Sequence, residues 1–158
     1  MSTASLLIGL LNGSSAVGRV SMGLASDYIG DINTLLISTL FASLSVLVVW
    51  MLAGTSVAAM TVFCIVYGFF SGSFIAIVPT VAAHLCGISR LASMTGIVYG
   101  GIAVGVLIGS PVGGALVDLG GGTNYHHMQI WAGLVMAVGT VLTGVLKFMM
   151  NPRPFGRI

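Results

Sequence analysis

From Ile32 to Ser89 the chain contains no Asp, Glu, Lys or Arg, and two further uncharged runs follow, Leu91 to Val117 and Leu119 to Leu146. A helix crosses the hydrocarbon of a bilayer in about 20 residues, so these runs hold several crossings. Composition points the same way. Of 158 residues, 57% are hydrophobic and 5% charged, whereas soluble domains carry about 25% charge. The expected fold is therefore all-α: a polytopic membrane helical bundle forming a single transmembrane domain over residues 1–158, with the lipid bilayer as its first partner. A formal charge of +2, scattered along the chain, gives no footing for nucleic acid.

Turn-forming residues divide the chain into five spans, at about 4–25, 34–53, 57–81, 91–117 and 128–148. The first ends at Ser26 to Asn33, where Asp27, Gly30, Asp31 and Asn33 favour a tight polar loop. Gly54-Thr55-Ser56 is so short a link that the helices on either side must run antiparallel. His84, Gly87, Ser89 and Arg90 mark the next hinge, and the cluster Gly120 to Asn124 marks the last. Asn151-Pro152-Arg153-Pro154 stops the fifth helix. With five spans, Arg90, Lys147, Arg153 and Arg157 fall on one side and no basic residue falls in the loops of the other. Lys and Arg accumulate on the cytoplasmic face, which places the C-terminus inside.

Within the first span stands Arg19, in a stretch otherwise uncharged until Asp27. At 3.6 residues per turn, Ser5, Asn12, Ser15, Arg19 and Gly23 share one helix face, with Ile8 the one bulky apolar residue among them. A guanidinium facing lipid costs roughly 3 kcal/mol or more. Two readings stand: Arg19 holds an anion in a protein-lined cavity together with Asn12 and Ser15, or it snorkels to the interface near the loop. In the fourth span Gly101, Gly105, Gly109 and Gly113 recur every four residues. Such a strip lets another backbone approach closely, and Pro111 should kink the helix. Gly68 and Gly72 form a weaker version in the third span.

Other residues carry less. Asp118 and His84 read as helix-end residues, and His126-His127 lack a third ligand, so neither a metal nor a cofactor is expected. Cys64 and Cys86 lie along helical stretches and are not expected to pair. No Ser-His-Asp set, HExxH, P-loop or paired carboxylates occurs, so the chain is not expected to be an enzyme.

The stretch Gly23-Leu-Ala-Ser-Asp27-Tyr-Ile-Gly30-Asp31 resembles the inter-helix loop motif of the major facilitator superfamily, in which Gly23, Asp27 and Gly30 match the glycine, aspartate and second glycine. Its flank, N-G-S-S-A-V-G-R-V-S-M-G-L-A-S-D, resembles the eighth helix of monocarboxylate transporter-like proteins, above all the fungal branch. G-S-P-V-G-G-A-L-V-D at Gly109 to Asp118 resembles the end of that family's eleventh helix. The resemblance implies a partial major facilitator fold, helices eight to twelve of twelve, and secondary active transport of a small carboxylate solute by alternating access. It also implies that Arg19 grips the carboxylate; the expected host is the plasma membrane, with an organelle membrane as the alternative. Ser15 stands where animal members carry an aspartate, which leaves proton coupling open, and Tyr28 and Asp31 stand where the superfamily often has basic residues. Met1-Ser-Thr-Ala leads straight into a helix, an abrupt start that suggests a C-terminal piece, inactive unless joined by the missing N-terminal half or a second copy. The alternative is a non-transporting membrane fragment or assembly partner.

Overall fold

The computed structural model describes residues 3–54, 56–119, 121 and 125–150, and these form five long helices joined by tight turns. α1 is Thr3–Ile29, α2 Asp31–Ala53, α3 Val57–Cys86, α4 Leu91–Leu119 and α5 His126–Met150. Four of them, α2 to α5, are long and apolar enough to cross a membrane. α1 has 27 residues, about 40 Å of helix, and its polar face lowers its hydropathy.

The first turn is tighter than the sequence suggests. α1 continues through Ser26, Asp27 and Tyr28, and the chain reverses at the single residue Gly30, whose φ of 95° and ψ of 144° suit glycine. The Gly30 amide donates to the Ser26 carbonyl at 2.8 Å, and its carbonyl receives the Thr34 amide at 3.0 Å. Asp31 thus opens α2, where its charge favours the helix N-terminus. Farther along, Ser45–Trp50 of α2 widens into a π-helical turn before the last α-helical residues, Met51–Ala53. α3 likewise runs on to Cys86, past the expected end, with Pro79 inside it.

Directions follow from contacts. α1 and α3 run parallel: Leu11 and Ser14 meet Gly68, and Met22 reaches the cluster of Ile32, Leu35, Ile77 and Val81. α2 and α5 run antiparallel, with Leu47 over Gly133 and Leu36 over Gly144. The ends of α1, α3 and α5 and the starts of α2 and α4 therefore gather at one end of the bundle, which also carries Arg90 and Lys147.

The tightest contact is the α1–α3 pair. A methyl added at Gly18 would fall on the Phe69 backbone, one at Gly68 would stand 2.5 Å from the Leu11 carbonyl oxygen, and one at Gly72 2.6 Å from that of Ser15. Close backbone approach replaces the hydrophobic drive that lipid removes. Ser14 adds a polar tie, its hydroxyl donating to the Leu11 carbonyl at 3.0 Å and the Cys64 carbonyl across the interface at 3.2 Å. Buried hydroxyls elsewhere turn back on their own helices, Thr34 to Gly30, Ser38 to Thr34 and Ser73 to Phe69, which satisfies them in the apolar interior.

α4 is packed least. Gly113 is its buried residue, and Leu107 and Ile97 are 73% and 70% exposed. Such exposure carries little penalty where acyl chains are the solvent.

Candidate functional site

α1 presents two edges. One, formed by Leu11, Ser14, Ser15, Gly18 and Met22, faces α3; beside it lie Asn12 and Arg19, both exposed. The structure thus keeps Arg19 and Asn12 together and turns Ser15 into the helix contact, where it is 8% exposed against Gly72. The Asn12 side-chain amide donates to the Ile8 carbonyl at 3.0 Å, which leaves its carbonyl oxygen as an acceptor on the open face.

The level of Arg19 in the bundle can be read from its neighbours. Ser15 packs at Gly72, the middle of the 30-residue α3, and Arg19 is one turn farther on. Counted the other way, it lies about 15 Å of helix from Ile29, because α1 has no loop at residues 26–29. Among the described residues Arg19 makes no salt bridge. Arg19 thus lies past the middle of α1, on a face shared with the Asn12 amide, small residues and the exposed Ile8.

Of the loop motif, Gly23 and Asp27 belong to the last turns of α1, and Gly30 is the reversal itself. Asp27 is exposed, while the Ser26 hydroxyl donates to the Gly23 carbonyl at 2.7 Å. On α4, a methyl at Gly101, Gly105 or Gly109 would find nothing within 4 Å, and one at Gly113 would find Met128 at 3.9 Å. The strip that stands out in sequence lies open along most of its length, and the close approach is made by Gly68 and Gly72 instead. Pro111 is accommodated within an unbroken α4. An open groove of about 680 Å³ runs past Ser110, Gly113, Gly114 and Asp118 to Met128.

Two features escape sequence reasoning. Asp31 Oδ2 faces His84 Nδ1 at 2.8 Å, joining the first turn of α2 to the last turn of α3; more than fifty positions of sequence separate the two, and no spacing rule links them. The second is a cavity of about 410 Å³ among α2, α3, α4 and α5, walled by Tyr67, Phe70, Phe74 and Tyr99. The Tyr99 hydroxyl donates to the Ile75 carbonyl at 3.4 Å across its rim. Thr39, Thr140 and Thr143 also line it, but their hydroxyls are spent on carbonyls of their own helices.

The family model of the Major Facilitator Superfamily matches residues 1–157. The chain belongs to the major facilitator superfamily. The following curated relatives are fungal. An MFS-type transporter of Gibberella moniliformis is 34% identical over 89% of this chain and 33% of its own length. One of Ophiocordyceps sp. is 34% identical over 95% of the chain and 33% of its own length. An aspyridones efflux protein of Emericella nidulans is 35% identical over 86% of the chain and 27% of its own length. The chain spans about a third of the length of these relatives. No solved structure matches it. As a major facilitator protein it is a multi-pass membrane chain, and its named relatives are transporters rather than enzymes.

Proposed function

We propose that the chain is most of the C-terminal half of a secondary active transporter for an organic solute bearing a carboxylate, with Arg19 as the group that grips the anion. The supporting observation is the placement of Arg19 at mid-depth on an exposed polar face, without a carboxylate partner among the described residues. A guanidinium offers a planar donor fork matched to a carboxylate, and in a low-dielectric cavity that pairing is stronger than in water. Asn12 adds an acceptor one side of the fork, and Ser15 acts by letting α1 lie close to α3. Two relatives are named as efflux proteins, for aspyridones and agnestins, which favours export of an organic solute. On this reading the end carrying Arg90 and Lys147 is cytoplasmic and the host is the plasma membrane. Transporters of this type rock two helical halves about a central site, so the chain needs a complementary half.

A second reading, an assembly partner that transports nothing, draws on the open glycine face of α4. Proteoliposome uptake of radiolabelled lactate and benzoate separates the two. The chain is reconstituted alone and together with the N-terminal half of a fungal relative. Uptake is expected only from the pair, and Arg19→Ala and Arg19→Lys should each reduce it at least about tenfold, the loss of one charge-assisted bidentate contact. Uptake unchanged in Arg19→Ala would remove the assigned role, and no uptake from the pair would favour the assembly partner.

A further inference from the structure

We propose that Asp31 and His84 form a proton-binding latch that fastens the start of α2 to the end of α3. This does not depend on the solute assigned to Arg19. Asp31 is 8% exposed, and its Oδ2 is sealed from solvent with no hydrogen-bond partner beyond the His84 Nδ1 it faces at 2.8 Å. A carboxylate oxygen only accepts; an imidazole nitrogen donates only when it carries a hydrogen. The neutral ring donates to Oδ2 only as its Nδ1–H tautomer, and with the hydrogen on Nε2 two lone pairs oppose each other. One proton bound at Nδ1 turns that opposition into a charge-assisted hydrogen bond, balanced as carboxylate plus imidazolium. The imidazole side chain is 55% exposed, so the proton can come directly from water.

Among the described residues, the other titratable or charged groups at this end are Asp27 and Tyr28 on α1, Cys86 on α3, Arg90 in the turn to α4 and Lys147 near the end of α5. Asp27, Tyr28 and Arg90 are exposed, Cys86 is half-buried, and neither Asp27 nor Arg90 forms an ion pair with Asp31 or His84. The latch joins two corners, the reversal at Gly30 and the turn at Gly87, where φ is 72°. α4 leaves from the second corner and is the most loosely packed helix, so fixing Gly87 against α2 fixes the base from which α4 departs. The protonated ring adds its charge to the bond, so the latch is stronger with the proton bound than without it.

The test uses the full chain in lipid nanodiscs with Cys64→Ser, leaving Cys86, two residues from His84, as the reporter. Maleimide labelling rates are measured at pH 5.5 and 8.0 and expressed as the ratio of variant to parent at each pH, which cancels the pH dependence of the thiol reaction. His84→Gln and Asp31→Asn should each label about two- to fivefold faster than the parent at pH 5.5, the range expected of a partly exposed charge pair, and by a smaller factor at pH 8.0. Ratios equal at the two pH values overturn the proposal. If either single variant does not fold, the exchanged double variant Asp31→His/His84→Asp is measured instead. It should keep slow labelling at pH 5.5 and lose part of it at pH 8.0, and labelling independent of pH there refutes the latch.

Discussion

Replacing Gly72 by alanine and, separately, Gly105 by alanine should move stability in opposite directions. Both glycines sit inside long helices, where alanine is intrinsically better by about 0.5–1 kcal/mol. At Gly105 nothing lies within 4 Å of the new methyl, so that gain stands alone. At Gly72 the methyl would be 2.6 Å from the Ser15 carbonyl oxygen and 3.0 Å from the Ser15 Cα. A carbon–oxygen contact tolerates about 3.3 Å, so α1 and α3 must part by roughly 0.7 Å. A gap of that order forfeits a quarter to a half of each dispersion contact along the seam, and overpacking of this kind typically costs about 1–3 kcal/mol. Subtracting the helix gain leaves a net loss of about 1–2 kcal/mol, a five- to thirtyfold drop in the folding constant. Unfolding in mixed micelles titrated with SDS, followed by tryptophan fluorescence, reports it, since Trp50 stacks on Phe63 across α2 and α3 at a ring separation of 5.5 Å. A Gly72→Ala midpoint at or above the parent's, with Gly105→Ala below it, would show that the seam has been assigned to the wrong helices.

The same titration checks two more residues. Gly30→Ala forces a methyl-bearing residue to φ 95° and ψ 144° and should lower stability by about 1–3 kcal/mol; no change would mean that the corner relaxes into another turn. Gln129→Leu removes a 3.3 Å hydrogen bond to the Trp50 carbonyl together with a buried Oε1 that has no partner among the described residues. These effects oppose each other, so a change under about 1 kcal/mol is expected, and a loss well above that would mean that Oε1 is in fact bonded.

Which glycines matter shows where sequence reasoning stops. The four-residue repeat of Gly101 to Gly113 is legible because one periodicity places all four on one face, but periodicity does not name the neighbour that meets the face. Gly68 and Gly72 give a weaker pattern, and Gly18 none that stands out, yet these three build the α1–α3 seam. Ser15 shows the same limit. Its helical angle differs from that of Arg19 by about 40°, close enough to share a stripe on paper, and the crossing of α3 falls between them.

The order and class of the helices, their number, the isolation of Arg19 and the membership in a transporter superfamily follow from the sequence alone. Each rests on an interaction counted residue by residue along one segment: transfer to hydrocarbon, turn propensity, the penalty on a bare charge. Tertiary structure decided which edge of α1 is covered, that one glycine rather than a loop reverses the chain, and that Asp31 meets His84. Those outcomes depend on how far two backbones can approach and at what angle, quantities that belong to a pair of helices and to neither of them singly.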